Sequence, residues 1–222
     1  MPKKIWYIYG AGGLGKECLD IINNDNNFLF GNYELRFLED KPKAKYINDI
    51  KVDKYSNYVK NSFVTIAVGE PTLRELLYKK IKHSSLKLIS AIHKSSFIST
   101  SSVISKGVII APFCSIQSNS CIKINSLINS MSIIGHDCIV EPHSVISSQV
   151  NLGGSVRVKR LSFIGMGASI KENLVIGSKS IISMTSAVHQ SIPNNVIAVG
   201  SPARIAKKNN GSKIFKRGKY DK

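Results

Sequence analysis

Residues 127–152 read LINSMSIIGHDCIVEPHSVISSQVNL, and in this stretch an aliphatic side chain returns at every sixth position. The same spacing continues in both directions without an insertion. Seventeen consecutive positions share it: Ile92, Ile98, Ile104, Ile110, Ile116, Ile122, Ile128, Ile134, Val140, Ile146, Leu152, Val158, Ile164, Ile170, Ile176, Ile182 and Val188. Because aliphatic residues fill only about a third of positions in an average protein, chance does not produce such a run.

A second residue class follows the same period. Two residues before most of these positions stands a small side chain: Ser96, Ser102, Cys114, Ser120, Ser126, Ser132, Cys138, Ser144, Ser162, Ala168, Ser180 and Ser186. An α-helix repeats every 3.6 residues and a strand every 2, so neither explains a period of six. A three-sided solenoid does, with one hexapeptide on each flat side, its aliphatic residue inside and the small residue at the corner. The sequence therefore predicts an all-β parallel solenoid with three hexapeptides in each coil.

The chain before the repeats has a different pattern. Residues 5–9, 34–38 and 62–68 have the composition of strands, whereas residues 16–22 and 73–81 have helical spacing. This alternation predicts a small parallel sheet of the Rossmann-like α/β type, which binds ligands at the carboxyl ends of its strands. We expect a Rossmann-like nucleotide-sugar-binding domain at 1–90, a β-helix domain at 91–206 and a basic tail at 207–222.

Charge and cysteine content narrow the function classes. The 222-residue chain carries a net charge of +17. Residues 207–222 hold seven basic residues against Asp221, which leaves +6 in the tail, and the remaining lysines are scattered. This distribution argues against nucleic-acid binding. The sequence has no run of about 18 apolar residues, so it predicts no membrane-spanning helix. The four cysteines form no CxxC pair, and together with the absence of a signal peptide they favour the cytoplasm.

A glycine-rich loop lies between the first predicted strand and helix. Residues 10–15, GAGGLG, fit the GxGxxG pattern, whose glycines let the backbone approach a diphosphate at the helix N-terminus. Glu39 and Asp40 follow the next strand, where an acid that binds ribose is expected. Residues 1–90 provide only one mononucleotide-sized half, so the pattern indicates a nucleotide rather than a dinucleotide. A glycine turn without any ligand remains the structural alternative.

His136 is the candidate catalytic residue. It comes two residues after the inward Ile134, so it lies at a corner and can face out of the solenoid. A neutral imidazole can remove a proton from an attacking amine or hydroxyl. Asp137 can hold the ring tautomer if the corner bends. One coil later, at 136 + 18, stands Gly154, whose backbone N–H is a candidate oxyanion donor, although two glycines can also simply turn a corner.

Three segments carry a resemblance to a known family: residues 5–16 (IWYIYGAGGLGK), residues 128–138 (INSMSIIGHDC) and residues 200–204 (GSPAR). Together they resemble the hexapeptide-repeat acyltransferases, which have a left-handed parallel β-helix. The resemblance is strongest to the branch that acetylates bacterial surface sugars, namely nucleotide-linked 4-amino-sugar N-acetyltransferases and sialic acid O-acetyltransferases. It implies acetyl-CoA as co-substrate, no metal, and direct attack by the amino group of a UDP- or dTDP-linked 4-amino sugar. It also implies a homotrimer with active sites between subunits, in glycan or lipopolysaccharide biosynthesis.

The resemblance also assigns binding residues. The nucleotide-sugar contacts that it implies are Gly12, Gly13, Gly15, Lys16, Glu39, Asp40, Gly69 and Asn129. The coenzyme A contacts that it implies are Gly154, Gly165, Ser183, Arg204 and Lys207. The family often has a second histidine nine residues after the first, where this chain has Val145, and His143 lies nearby but out of register.

Three other functions remain open at this stage. An O-acetyltransferase of a sialic-acid-type sugar would use the same base, but a free sugar would not need the glycine loop. A zinc hydratase would need His136, His143 and His189 as ligands supplied across a subunit boundary. A scaffold or nucleic-acid binder would depend on the basic tail.

Overall fold

The computed structural model describes residues 3–25, 32–211 and 214–215, so most of the predicted basic tail lies outside the described residues. Its first unit is a six-stranded sheet flanked by helices. The strands are Lys4–Tyr9 (β1), Tyr33–Glu39 (β2), Tyr46–Ile47 (β3), Ile50–Lys54 (β4), Phe63–Ile66 (β5) and Lys87–Leu88 (β6). The helices are Gly13–Asn23 (α1) and Pro71–Lys82 (α2), and residues Tyr55–Asn57 form a 3₁₀ turn.

The strand order is β3-β4-β2-β1-β5-β6, with every neighbouring pair parallel except β3 and β4. The predicted strand–helix–strand pattern is confirmed, whereas the β3–β4 hairpin was not predicted. Because β1, β2 and β5 are parallel, their carboxyl ends meet at one edge of the sheet. This edge carries the glycine loop, Glu39 and Gly69.

The second unit is a solenoid of short strands. These strands are Ala91–Ile92 (β7), Phe97–Ile98 (β8), Val103–Ile104 (β9), Ile109–Ile110 (β10), Ser115–Ile116 (β11), Cys121–Ile122 (β12), Leu127–Ile128 (β13), Ile133–Ile134 (β14), Ile139–Val140 (β15), Val145–Ile146 (β16), Asn151–Leu152 (β17), Arg157–Val158 (β18), Phe163–Ile164 (β19), Ser169–Ile170 (β20), Val175–Ile176 (β21), Ile181–Ile182 (β22), Ala187–Val188 (β23), Val196–Val199 (β24) and Arg204–Lys208 (β25). The strand β25 crosses the predicted boundary at residue 206.

The solenoid has three flat faces. The first face holds β7, β10, β13, β16, β19, β22, β24 and β25, the second holds β8, β11, β14, β17, β20 and β23, and the third holds β9, β12, β15, β18 and β21. Parallel partners are one coil apart, as in the pairing of Ile134 with Leu152. The predicted class, a parallel β-helix of hexapeptide repeats after an α/β domain, is confirmed.

The periodic aliphatic residues form the solenoid core. The fourteen from Ile110 to Val188 are buried, whereas Ile92, Ile98 and Ile104 are half-buried at the first coil. Burial of each such side chain contributes roughly 1.5–3 kcal/mol, so the repeat itself supplies the driving force for this unit.

The small residues are explained by hydrogen bonds at the corners. The buried Ser120 hydroxyl donates to the carbonyl of Gly135 at 2.6 Å, and the buried Ser144 hydroxyl donates to that of Lys159 at 2.9 Å. The Cys138 thiol makes the equivalent contact to the carbonyl of Gly153 at 3.1 Å. A buried hydroxyl is tolerated only with a partner, and each of these has one.

The first face packs against the N-terminal domain. Its outward residues Ala91, Ile109, Leu127 and Val145 are buried in one cluster with residues of β1 and α1. An outward position on a solenoid is normally wet, so this apolar row marks the side on which the first domain lies. The domain is thereby fixed beside the coils.

Arg74 on α2 joins the two units. Its wholly buried guanidinium donates from Nε to the carbonyl of Asn125 at 2.8 Å and from Nη1 to the carbonyls of Ile66 and Val68 at 2.9 Å. Nη2 donates to Oδ1 of Asn125 at 3.0 Å, and burial lowers the pKa of the guanidinium. One side chain therefore holds the end of β5 against a corner of the solenoid.

In the described part of the chain, no helix has both the length and the apolar character that a membrane span requires.

Candidate active site

His136 and Asp137 form a hydrogen-bonded pair at the corner between the second and third faces. Ile134 points into the core, and Asp137 has a φ of +60°, so the backbone bends there. The bend brings together two neighbours that a straight strand would point apart. His136 Nδ1 lies 2.7 Å from Asp137 Oδ2. The imidazole side chain is 62% exposed.

This pair fixes the protonation pattern of the ring. An ionised carboxylate only accepts hydrogen bonds, so Nδ1 carries the hydrogen and Nε2 has its lone pair free. Hydrogen bonds from His136 and Asn119 lower the pKa of Asp137, so the carboxylate is ionised at neutral pH. The geometry therefore gives the imidazole the tautomer that a general base needs.

Asn119 is a member of the site that the sequence analysis missed. Its Nδ2 donates to Asp137 Oδ1 at 3.2 Å from the corner one coil earlier. Subtracting one coil from 137 gives 119, so the repeat contained the signal. The side chains of Asn119, Asp137 and His136 form one chain of contacts along the edge of the solenoid.

Gly154 lies directly against the ring of His136. A Cβ at this position would stand 2.4 Å from Nε2 and 2.5 Å from Cε1, distances that real atoms do not reach. Ser155 N donates to the carbonyl of His136 at 2.8 Å and aligns the two coils. Within the described residues, the N–H of Gly154 has no hydrogen-bond partner. The sequence prediction that these two residues stack is confirmed in the structure.

The glycine loop borders a cleft of about 520 Å³ at the carboxyl edge of the sheet. Gly12 caps α1 and Gly13 begins it, so the positive end of the helix opens into this cleft. Gly69, after β5, lines the same space. Glu39 accepts a hydrogen bond from Ala11 N at 2.6 Å and thereby holds the loop. The expected grouping of loop and strand ends is present.

Asp40 also lines the cleft and is held by two partners. The hydroxyl of Tyr9 and the ammonium of Lys80 both donate to its Oδ1. These bonds lower the pKa of Asp40 against the opposing effect of burial, which is the largest single influence. The carboxylate is therefore ionised, and its other oxygen is available for a ligand hydroxyl.

Three of the expected nucleotide-sugar contacts do not line this cleft, and two of these three lie on α1. Gly15 is buried, and a Cβ there would stand 2.1 Å from the carbonyl oxygen of Gly10, so Gly15 packs α1 onto the end of β1. Lys16 is exposed on α1 and does not line the cleft. Both expectations are corrected: the third glycine serves helix packing, and the lysine is not part of the cleft.

Asn129 lines a second, separate cleft. This cleft lies between α1 and the solenoid, and its other polar residues include Glu17, Asp20 and His93. His93 itself forms a β-bridge with Asp25, so it connects the first coil to the end of the α1 region. A single chain therefore does not bring Asn129 to the glycine loop.

The candidate coenzyme A contacts fall on two edges of the solenoid. Gly154 lies at the edge between the second and third faces, with His136. Gly165 and Ser183 occupy successive coils at the edge between the first and second faces. Gly165 N donates a hydrogen bond to the carbonyl of Ile182 at 2.8 Å. Arg204 and Lys207 are exposed on β25, at the border of the first face. Within one chain, the candidate coenzyme A contacts therefore do not lie around a single site.

His143 is buried and belongs to the domain junction. Its Nδ1 lies 3.0 Å from Asn125 Nδ2, and its ring centroid lies 5.2 Å from that of Tyr78. Burial lowers its pKa to about 4. His143 lies at the edge between the third and first faces, so it cannot replace the missing second histidine beside His136. The alternative zinc site needs His143 as one of its three ligands, and a histidine buried at this junction is not accessible to a metal shared between subunits.

Comparison with known proteins extends these findings. Residues 6–81 match the family model described as the PglD N-terminal domain. GDP-perosamine N-acetyltransferase of Escherichia coli O157:H7 is 27% identical over 214 residues, which cover 92% of this chain and 97% of that protein.

Two solved structures are similar over their whole length. WeeI from Acinetobacter baumannii AYE has a TM-score of 0.84 at 27% identity, covering 92% of this chain and 100% of that one. The acetyltransferase domain of PglB from Neisseria gonorrhoeae FA1090, in complex with acetyl coenzyme A, has a TM-score of 0.83 at 25% identity with the same coverage.

Fold and comparisons together define the class: this protein has a parallel β-helix of hexapeptide repeats and is homologous to acetyltransferases of the hexapeptide-repeat family. The homologues include GDP-perosamine N-acetyltransferase, WeeI and the acetyltransferase domain of PglB.

Proposed function

We propose that this enzyme transfers the acetyl group of acetyl-CoA to the amino group of a nucleotide-linked amino sugar, with His136 as general base. One observation carries the proposal. His136 Nε2 lies over Gly154, whose N–H has no partner within the described residues, while Nδ1 is bound to Asp137. A base and an amide donor thus stand side by side at an exposed corner.

The chemistry assigned to His136 is a single proton transfer. As the amine nitrogen bonds to the acetyl carbon, Nε2 accepts the proton that the nitrogen loses, and the ring becomes an imidazolium. Asp137 stabilises that charge through Nδ1, and Asn119 keeps the carboxylate in place. The bond between the acetyl carbon and sulfur then breaks, the carbon returns to a carbonyl, and coenzyme A leaves as a thiolate that takes up the proton of the imidazolium, so no covalent enzyme intermediate is required.

The residues around Gly154 fit a thioester. Acetyl-CoA supplies an acetyl group activated as a thioester, whose oxygen gains negative charge as the amine attacks. The free N–H of Gly154 is a donor for such an oxygen, and the missing Cβ leaves the space beside Nε2 open. Arg204 and Lys207 are exposed cations suited to the phosphates of coenzyme A. Gly165 and Ser183 complete the proposed contacts from the other edge.

The cleft at the glycine loop is the proposed nucleotide site. Gly12 and Gly13 offer backbone N–H groups and the positive end of α1 to a diphosphate, and Asp40 offers a carboxylate oxygen to a ribose hydroxyl. A free sugar has no group for these features, which supports a nucleotide-linked acceptor. The family resemblance implies UDP or dTDP, while the E. coli relative is named for a GDP-linked sugar. All three nucleotides therefore belong in the substrate panel.

The distribution of candidate residues supports a homotrimer with shared sites. Large apolar side chains are exposed along the second face and its border with the first face: Phe97, Phe113, Met131, Ile133, Met166 and Met184. Such a strip on a solenoid is expected to be covered. A second copy packed there can bring its Gly165 and Ser183 towards the first copy's His136. The same arrangement can bring Asn129 towards a sugar.

We place the reaction in the cytoplasm and in the synthesis of a bacterial surface glycan. The four free cysteines, three of them buried, support a reducing compartment. The glycan pathway rests on the family resemblance and on the nucleotide-linked sugar in the name of the E. coli relative.

The test is acetyl transfer from labelled acetyl-CoA to a panel of acceptors. It compares GDP-, UDP- and dTDP-linked 4-amino sugars with a sialic-acid-type sugar and with the same nucleotides carrying no amino group. The proposal expects transfer to at least one amino sugar nucleotide and no transfer to the amine-free controls. Transfer to the sialic-acid-type sugar alone would support O-acetylation and contradict the proposal.

A further inference from the structure

The C-terminal segment returns to the N-terminal domain after β25. Asn209 N donates to the carbonyl of Asn195, and its Nδ2 donates to that of Lys179, both at 2.7 Å. Beyond the turn at Gly211, which has a φ of +84°, Ile214 N donates to Glu70 Oε2 at 2.9 Å. These bonds tie the segment to the last coils and to the residue that precedes α2.

The next residue, Phe215, presents its ring to the nucleotide cleft. Phe215 lines that cleft together with Gly12, Asp40 and Gly69. Its ring packs edge-on against Phe163 of β19, with centroids 5.9 Å apart and an interplanar angle of 85°. A Cβ on Gly69 would stand 2.9 Å from Cε2 of Phe215, so the ring rests directly on the glycine backbone. Nevertheless, 59% of Phe215 stays exposed.

The combination of a fixed ring and an exposed surface points to a ligand. Phe163 and Gly69 support the ring from below, and the remaining surface faces a space of about 520 Å³. A nucleobase has a flat π face, and stacking on an aromatic side chain is favourable for every base. Glu39 and Asp40 hold the loop and the ribose side of this cleft, but their carboxylates offer no such face.

We propose that Phe215 forms the aromatic wall on which the nucleobase of the nucleotide-linked sugar stacks. This inference rests on the proposed function and adds a nucleotide-binding residue to it. The wall is supplied by the C-terminal segment, outside the sheet that carries the glycine loop. Because stacking accepts any base, the wall supplies affinity for the nucleotide and does not distinguish one base from another.

The test measures binding of GDP, UDP and dTDP by calorimetry to the full chain and its F215A, F215W and F215L variants. For each nucleotide that the wild type binds, F215A should raise Kd by roughly 5- to 150-fold, the range for losing one base–aromatic stack. F215W should restore the affinity, whereas F215L should restore little of it. I205A removes an exposed apolar side chain of β25 outside the cleft and should leave Kd unchanged.

A fluorescence measurement adds an independent readout. Trp6 is the only tryptophan of the chain, and it is fully buried. A nucleotide that stacks on the indole introduced by F215W should quench its fluorescence, whereas the emission of the buried Trp6 should change little. The Kd from this quenching should equal the Kd from calorimetry.

Equal Kd values for wild type and F215A would overturn the inference, and a lower Kd for F215A would show that the ring blocks the cleft. A wild type that binds none of the three nucleotides would overturn the proposed function as well.

Discussion

The imidazole of His136 lies on Gly154, one coil further along the chain, with no room between them for a methyl group. The hexapeptide period produces this relationship, because residues that are eighteen positions apart occupy the same corner of successive coils. The same stacking places Asn119 on Asp137 from the other side. The catalytic proposal therefore depends on four residues at one edge of the solenoid.

Gly154→Ala should impair the base while preserving the fold. The new Cβ would force the ring of His136 away from its position, and displacement of a catalytic group by about 1 Å costs on the order of 100-fold in rate. Steady-state kcat measures the effect, and the thermal midpoint monitors the fold. In a His136→Ala background the same substitution should have almost no further effect, since the displaced group is gone. Independent, multiplicative effects of the two substitutions would contradict this interpretation.

Asp137→Asn should lower kcat by exchanging the tautomer of His136. The amide can donate to Nδ1, which moves the ring hydrogen to Nε2 and removes the lone pair that accepts the proton. The loss should approach the roughly 10²- to 10⁴-fold range expected for general base catalysis. Asn119→Ala removes only one support of the carboxylate, so it should reduce kcat by a much smaller factor. A larger effect from Asn119→Ala than from Asp137→Asn would refute the assigned roles.

Arg74→Met should destabilise the protein strongly. The substitution removes the donor for carbonyls of both domains and leaves them buried without a partner. Loss of one member of a buried charged network typically costs about 3–5 kcal/mol in the free energy of unfolding. The matched control is Arg160→Met, because Arg160 is a half-exposed member of an ion pair with Glu75 and should contribute at most about 1 kcal/mol. Urea denaturation of both variants measures the loss in the free energy of unfolding. Similar losses in the two variants would contradict the role of Arg74.

The stability of the protein should fall as the pH is lowered below about 6.5. Burial lowers the pKa of His143 to about 4, so the unfolded chain binds its proton at a higher pH than the folded chain. The contribution of His143 to the free energy of unfolding is complete above the pKa of the unfolded chain, and it is lost as the pH falls from about 6.5 to about 4. Between pH 7 and pH 5 the free energy of unfolding should decrease by about 2 kcal/mol from this residue. His143→Gln should flatten the profile, whereas His189→Gln at an exposed position should leave it unchanged. An unaltered slope in His143→Gln would be inconsistent with this assignment.

Much of the fold was predictable because the solenoid has a repeat. The aliphatic positions from Ile110 to Val188 are all inside, and the spacing alone places Gly154 against His136. The glycine loop was equally readable, since strand, glycines and helix follow one another directly. Asn119 could have been found by subtracting one coil from Asp137.

The remaining features depend on contacts between segments that no local pattern connects. Arg74 reads as an ordinary helical residue, and its burial follows only from the packing of α2 on the corner of Asn125. His143 is buried by the same packing. Gly15 was expected to contact the nucleotide sugar, but it is needed where α1 packs closely against the backbone of Gly10. Phe215 reaches the cleft because the chain turns back after β25.

The most direct measurement is the kcat of His136→Ala for acetyl transfer to an amino sugar nucleotide that the wild type accepts. The ring is largely exposed at a solenoid corner, so its removal should leave the thermal midpoint close to that of the wild type. We expect kcat to fall by about 10²- to 10⁴-fold. A well-folded His136→Ala variant that retains the wild-type kcat would contradict the account.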